Sequence, residues 1–475
     1  MNEETTNNNN NNDNDNSDNA LPQPLIPIDE TTPLNTVPFK RFTSLEIGSK
    51  EINFTNVNDF YGKVRQIYFQ PMHPGSLRAS IFCLICVTLG SGMLPLPYFF
   101  KTNGIILTLL IFFFCAFSTL RTLKILCNLS YKTKIYSYNE LVAHYFGQNS
   151  KMVSYSITVL LINSLGSIIA WSVLISKFLK DIYEYINIPQ YKIDLCVFYT
   201  SLIILCFIQI PLATFKTVAE FYIVSTIGII QILYVIIVLI IEFPFYFTKY
   251  FHYKLFFNNT SNFINVNLKL VEMPLCFFIA FGNHSTILSV IYEIQNKTKN
   301  RVQNAGRLTF YSELVIYLII MFVSFFSTFD YTNEIYLDRP HVSRLMIIGE
   351  LFMMILMICN ISLYYYMMIP LLQLFFNDNK PFKLKQSFLM AFTTLTLLTF
   401  ISFYIKHIIT LFSFIGASAQ VSLIFVLPIN LYMVDNKDTL SVSKRRGLKL
   451  TIGFFCFIGL MFFMLLIVDQ FINVM

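Results

Sequence analysis

Glycine, serine and proline can do chemistry inside a membrane by freeing main-chain atoms, and two apolar stretches of this 475-residue chain carry them at mid-length. The first is Thr88-Leu89-Gly90-Ser91-Gly92-Met93-Leu94-Pro95-Leu96-Pro97, in the middle of the apolar run 79–100. Glycine loosens a helix and proline removes a donor, so the sequence predicts a break there. The second is Gly282-Asn283-His284-Ser285, in the middle of the run 273–292. In hydrocarbon every backbone polar group needs a partner, so a break is tolerated where it faces protein, water or a ligand. Where the first span restarts, the N–H groups of Ser91, Gly92 and Met93 would be open and suit a carboxylate. Where the first half of the other span stops, the carbonyls of Ile279, Ala280 and Phe281 would be open and suit an ammonium. A zwitterion bridging the two is an α-amino acid, with Gly90, Gly92 and Gly282 allowing close approach. The candidate substrate-contacting set is therefore Leu89, Gly90, Ser91, Gly92, Met93, Ile279, Ala280, Phe281 and Gly282.

The elements that must hold these breaks are membrane helices. The chain is 55% apolar and 13% charged, where a soluble protein carries about 25% charged residues. We expect an all-α membrane protein of about eleven spans: 79–100, 104–126, 152–175, 195–210, 218–241, 273–292, 308–329, 345–376, 388–404, 407–432 and 448–474. Pro211 and Lys216 predict a tight turn between the fourth and fifth. The first and sixth spans are both interrupted and lie five apart. An odd period gives the second five an inverted topology, and paired interrupted spans are the strongest sequence pointer to a transporter site.

Residues 1–59 form an asparagine-rich tail with too little apolar surface to fold, 60–78 a juxtamembrane segment, and 79–475 the membrane domain. The first forty residues are polar and unlike a cleavable signal, so the first span would direct insertion. Lysine and arginine favour one set of loops about two to one, which places the N-terminus in the cytosol. Asn258 and Asn259 begin overlapping glycosylation sequons in the longest outer loop. The segment 136–147 reads as an amphipathic helix along the membrane surface. The nine cysteines lie in or beside apolar runs and suggest neither a disulfide framework nor a metal site. The net charge of +7 sits in loops and is no sign of nucleic-acid binding.

At this point the motifs resemble the amino acid/auxin permease family. Gly90-Ser-Gly-Met-Leu-Pro-Leu-Pro-Tyr98 with Asn103-Gly104 is similar to its opening motif. The run from Phe278 to Glu293, followed by Asn296-Lys-Thr-Lys, is similar to its sixth span, nearest the neutral amino acid transporter branch. Phe414-Ile-Gly-Ala-Ser-Ala-Gln-Val-Ser-Leu-Ile-Phe-Val-Leu-Pro428 resembles its tenth span, and Tyr138-Asn-Glu-Leu with Phe146-Gly147 also matches. The resemblance covers about residue 78 to the C-terminus. It implies a leucine-transporter-like 5+5 inverted repeat plus one extra helix, and secondary transport of amino acids. Sodium-coupled members of that branch tend to have asparagine where this chain has Cys86, a poor ligand for a hard cation. Proton-coupled or uncoupled transport is expected ahead of sodium coupling, with Ser362 as a remaining hydroxyl for an ion.

Several single residues could couple or gate. His284 is a proton-coupling group, a substrate gate, or simply a cap on the broken helix, and the cap is the preferred reading. Glu350, in the eighth span, is the other mid-membrane ionisable candidate, with a place near the outer surface at the start of that span as the alternative. Asn163, Gly166 and Ser167 form a small polar patch that lines the pocket or packs helices. Phe281 and Phe414 could close over a ligand. We expect a non-enzymatic transporter without cofactors in the plasma membrane or a vacuolar or lysosomal membrane. A membrane amino acid sensor signalling to a cytosolic partner is the alternative. Clusters of acid, histidine or nucleophile at one depth, as an enzyme needs, are not evident, nor is a repeated pore-lining pattern.

Overall fold

A computed structural model describes residues 75–213, 222–340, 343–376 and 382–474. The tail and most of the juxtamembrane segment lie outside them. The described residues are helical, with no strand.

The chain opens with α1 (Leu77–Gly92) and α2 (Leu96–Asn103), bent by 43° across Met93–Pro95. Then follow α3 (Ile105–Thr133), α4 (Tyr138–Phe146), α5 (Lys151–Tyr185), α6 (Gln190–Ala213) and α7 (Tyr222–Tyr250). Short α8 (Tyr253–Asn258) precedes the second interrupted span, α9 (Lys269–Ala280) and α10 (Ile287–Glu293). The rest are α11 (Lys299–Thr328), α12 (Arg344–Phe376), α13 (Leu384–Ser402), α14 (Ile408–Asp435) and α15 (Val442–Val474).

Among the described residues nine helical stretches are long and apolar enough to cross a bilayer, and the bent pair α1–α2 makes ten. The ninth expected span forms as α13 but is not among these ten. Lys385, Gln386 and four threonines dilute its 19 residues, which reach about 28 Å against a hydrocarbon thickness of about 30 Å. The turn expected between the fourth and fifth spans falls largely outside the described residues, and Pro211 itself lies inside α6. A wide turn at Leu205–Gln209 precedes it, and such i→i+5 turns relieve the clash of a proline ring with the preceding carbonyl. Lys216 lies outside the described residues.

Helix starts follow capping chemistry. Ser76, Ser150 and Thr298 accept from the N–H of Ala79, Val153 and Arg301, respectively, opening α1, α5 and α11. Gly104 joins α2 to α3 at φ +81, and a Cβ there would lie 2.6 Å from the Phe263 carbonyl carbon, so only glycine fits. The expected amphipathic helix forms as α4. It is tied inward by the Tyr138 hydroxyl donating to Leu423 O at 2.8 Å and by Tyr145 donating to Asp435 at 2.9 Å. Burial first, and then the Asp435 carboxylate, push the Tyr145 phenol up, so it stays a donor.

The two interrupted spans run antiparallel. At one end Gln295 N–H, past α10, donates to Gly75 O, ahead of α1, at 2.9 Å. At the other, Asn265 N–H, ahead of α9, donates to Asn103 O, at the end of α2, at 2.9 Å. Each span starts where its partner finishes, so their breaks meet in the middle.

Candidate substrate site at the paired breaks

The closest approach is glycine on alanine. A Cβ on Gly92 would stand 2.7 Å from Ala280 Cα, and one on Gly90 would stand 2.6 Å from Asn360 Nδ2 of α12. These glycines let α9 and α12 lie directly on α1. Asn360 uses the space to donate to Cys86 O at 3.1 Å.

The break in the first span lies further along than expected. The backbone stays helical through Gly92, so Ser91 and Gly92 sit in the last turn rather than at the restart. The glycines serve contact with neighbouring helices, and Pro95 and Pro97 end the pattern instead. The restart at Leu96 has few free donors, because Pro95 and Pro97 have no N–H and Tyr98 N–H returns to Pro95 O. The residues after α11 cover this break, with Tyr336 N–H donating to Leu94 O at 3.2 Å.

The carbonyls expected to be open at the second break are occupied. Ile279 O accepts from Gly282 N–H, Phe281 O from Asn283 N–H, and Ala280 O from the Tyr317 hydroxyl at 2.5 Å. What remains unpartnered is a set of side-chain atoms. Buried Asn283 Oδ1, His284 Nδ1 and Gln420 Oε1 have no hydrogen-bond partner, and Asn163 Nδ2 and Ser285 Oγ have only the Tyr364 hydroxyl beside them. An unpaired buried polar atom costs about 1–3 kcal/mol, so this turn gathers groups whose cost a polar partner would relieve.

Gln420 is central to that group. It lies over Gly282, where a Cβ would come within 2.7 Å of its Nε2, and it donates to Asn163 Oδ1 at 2.8 Å. Two consecutive wide turns, Gly416–Gln420 and Ser422–Val426, swell α14 at this point. Such bulges re-aim side chains and concentrate at functional sites. The amide pair thus offers a free acceptor, Gln420 Oε1, beside the Asn163 amide, which has the Tyr364 hydroxyl next to it. Trp171 of α5, the only tryptophan, donates to Ser91 Oγ at 2.9 Å and meets Tyr364 of α12 edge to face at 4.7 Å.

The candidate residues divide accordingly. Leu89, Gly90, Ser91, Gly92, Met93, Ala280, Phe281 and Gly282 are buried at the paired breaks, and Ile279 is half-buried beside them. Phe281 packs on Phe112, Phe310 and Tyr317. His284 is fully buried, with Nε2 3.1 Å from Thr122 Oγ1 of α3. Asn163 joins the group through Gln420. Ser167, one turn further along α5, is half-buried and makes no hydrogen bond among the described residues. Gly166 packs helices, since a Cβ would strike Ile415 at 2.7 Å.

Glu350 and Phe414 are not brought to the breaks. Glu350 is buried early in α12, ten residues and about 15 Å along the helix from Asn360, which is the α12 residue that reaches α1. Phe414 is 45% exposed and packs on Phe463 of α15. Its helical phase turns it outward, while Ser413 beside it is buried. Ser362 donates to Ile358 O and Gln209 O, away from α1. The Cys86 thiol donates to Ser225 O at 2.9 Å.

Sequence reasoning missed Glu313. This α11 carboxyl is fully buried and joins both interrupted spans. It accepts from the Thr88 hydroxyl of α1, and from Asn283 Nδ2 at 2.9 Å to Oε1 and 3.1 Å to Oε2. The signal was present, since an acid inside an apolar run is a functional-site pointer. The expected span started at residue 308, which put Glu313 near a boundary. The helix in fact starts at Lys299, which puts Glu313 about 21 Å along it.

The profile of the family described as "Transmembrane amino acid transporter protein" matches residues 73–472. A Plasmodium berghei protein named "Putative amino acid transporter AAT1" is 21% identical over 267 residues, 56% of this chain and 42% of that protein. Its Plasmodium falciparum namesake is 30% identical over 122 residues, 26% of this chain and 20% of that protein. The chain thus spans less than half the length of these curated relatives. Among solved structures, MhsT in complex with L-phenylalanine matches with a TM-score of 0.50 at 12% identity, covering 83% of this chain and 99% of that one. At that identity the match speaks for the fold, and it bears out the leucine-transporter-like architecture. The chain belongs to the transmembrane amino acid transporter family.

Proposed function

We propose that this member of the transmembrane amino acid transporter family carries neutral amino acids across a membrane by alternating access. The observation that carries the reading is the meeting of the two spans at their breaks, Gly92 on Ala280, beside unpartnered polar atoms of Asn283, His284 and Gln420. A zwitterion needs a donor for its carboxylate and an acceptor for its ammonium; Gln420 Oε1 is a free acceptor, and the Asn163 amide with the Tyr364 hydroxyl beside it is the donor group. Binding therefore relies on side-chain amides more than on main-chain ends. The nearby Trp171, Tyr364 and Phe281 are uncharged and suit a neutral substrate. Rocking of one group of helices against the other around this point would expose it to each side in turn.

Coupling to protons, or none, is favoured over sodium, because Cys86 offers sulfur where a hard cation wants oxygen. The N-terminus is assigned to the cytosol from the lysine and arginine bias. The membrane is that of the cell surface or of a vacuolar or lysosomal compartment.

The test is uptake into proteoliposomes holding the purified protein, with radiolabelled neutral, cationic and anionic amino acids competing. Gln420→Ala and Asn163→Ala should each raise the half-saturating concentration of neutral substrates by about tenfold, the equivalent of one hydrogen bond of about 1.4 kcal/mol. Equal uptake by the wild type and both variants would remove the site from this position.

A further inference from the structure

We propose that Glu313 is the proton-carrying group of the transport cycle, taking up and releasing one proton as the two interrupted spans close and part. The inference rests on the transport reading above and assigns its driving ion to one side chain.

Glu313 is set apart from the paired acids of the bundle by its partners, and from Glu350, also buried without a cation, by its bonds to both interrupted spans. Glu242 pairs with Arg339, Glu272 with Lys269, Asp338 with Lys177 and Asp435 with Lys132. Glu313 has no cation partner among the described residues, yet it is fully buried. Its contacts are the neutral donors Thr88 and Asn283, one from each interrupted span. A charge held only by dipoles in a dry interior is easily neutralised by a proton.

The titratable groups on the elements packed against α11 are engaged elsewhere. His284 bonds Thr122 of α3, and Cys86 of α1 donates to Ser225 O. Lys101 of α2 donates to Thr332 O, and Glu242 of α7 holds Arg339. Cys83, Cys115 and Cys127 are buried thiols, and Glu293 ends α10. On α11 itself, Tyr317 one turn on binds Ala280 O and Thr88 O.

Protonation reverses one bond. The ionised carboxylate only accepts, so the single Thr88 hydroxyl proton must point at Glu313. The protonated carboxyl instead donates its new O–H to Thr88 Oγ1. The Thr88 proton then turns to Leu84 O at 3.0 Å or Ile85 O at 3.2 Å within its own helix. Asn283 keeps donating to the other oxygen. The ionised form thus draws α1 and the second break onto one charge, and the neutral form loosens that clamp. Asn283 adjoins Gly282, which lies under Gln420, so filling the substrate site and charging Glu313 act on the same turn.

The experiment uses full-length protein in proteoliposomes with a mixture of radiolabelled neutral L-amino acids. Two readings are taken: accumulation driven by an imposed pH gradient without sodium, and counterflow exchange without any gradient. With one proton per substrate, wild type should accumulate about tenfold per pH unit. Glu313→Gln should lose that accumulation while still exchanging, at a reduced rate. Glu313→Asp should accumulate with a displaced pH profile. Should Glu313→Gln not survive purification, the Asp variant decides: an unchanged profile overturns the proposal. Proton-driven accumulation by Glu313→Gln overturns it too, as does wild-type accumulation that needs sodium. Exchange by wild type without pH-driven accumulation sinks the proton role and leaves transport standing. Neither exchange nor accumulation would sink the transport reading itself.

Discussion

Adding one methyl group at Gly92 or at Gly282 separates a glycine that packs the fold from one that shapes the site. In Gly92→Ala the new carbon would stand 2.7 Å from Ala280 Cα and 3.3 Å from Ala280 Cβ. Carbon contacts are comfortable at about 3.5–4.0 Å, so α1 and α9 must part by about 1 Å. The obstacle is backbone and cannot rotate away. Overpacking of this kind costs about 1–3 kcal/mol, and the better helix propensity of alanine returns at most about 1 kcal/mol. The net is a loss of about 1–2 kcal/mol. At about 2 °C per kcal/mol for a large domain, a thermal melt in detergent should fall by a few degrees.

In Gly282→Ala the methyl group would meet only the end of Gln420, at 2.7 Å from Nε2 and 2.8 Å from Oε1. That side chain can swing aside, so the melt should barely move. Its bond to Asn163 breaks when it does so, and a bond of about 1.4 kcal/mol corresponds to a tenfold loss in apparent affinity. The reasoning is refuted if Gly92→Ala melts like wild type, or if Gly282→Ala takes up substrate with unchanged affinity.

Tyr317→Phe removes the hydroxyl that partners Ala280 O and Thr88 O. It should destabilise by about 1–3 kcal/mol, seen as a lower melting temperature. Phe414→Ala removes an exposed ring packed on Phe463, and it should leave the half-saturating concentration for uptake unchanged. Trp171→Phe keeps the aromatic contact with Tyr364 but loses the bond to Ser91. Competition assays should show substrate affinity falling several-fold, with little change in the melt.

Much of the fold was legible because its signals are local and strong. Long apolar runs fixed ten spans, and the segment from Tyr138 to Phe146 formed a helix as its pattern required. The misreadings have physical causes. Pro211 suggests the end of a span, yet it lies inside α6 after a wide turn that absorbs the proline, and such turns leave no compositional trace. Glu350 and Phe414 were picked by residue type, whereas their roles depend on helical phase and depth. Glu313 was hidden by a boundary drawn nine residues late, which made a central acid look peripheral.

The deepest shift concerns what the glycines are for. A glycine-rich helix centre suggests backbone laid bare for a ligand. Here Gly90 and Gly92 lie within regular helix, and their missing side chains are filled by Asn360 and Ala280. Close packing in turn brings Thr88 and Asn283 to one carboxyl, and Gly282 lets Gln420 cover the second break. The polar work thus moves from main chain to side chains that lie far apart in sequence. Gln420 and Asn163 are 257 positions apart, and Thr88 and Glu313 are 225 apart. A motif read along one span cannot show such pairs. They emerge only when the antiparallel run of the two interrupted spans stacks their centres, and that stacking is what the glycines permit.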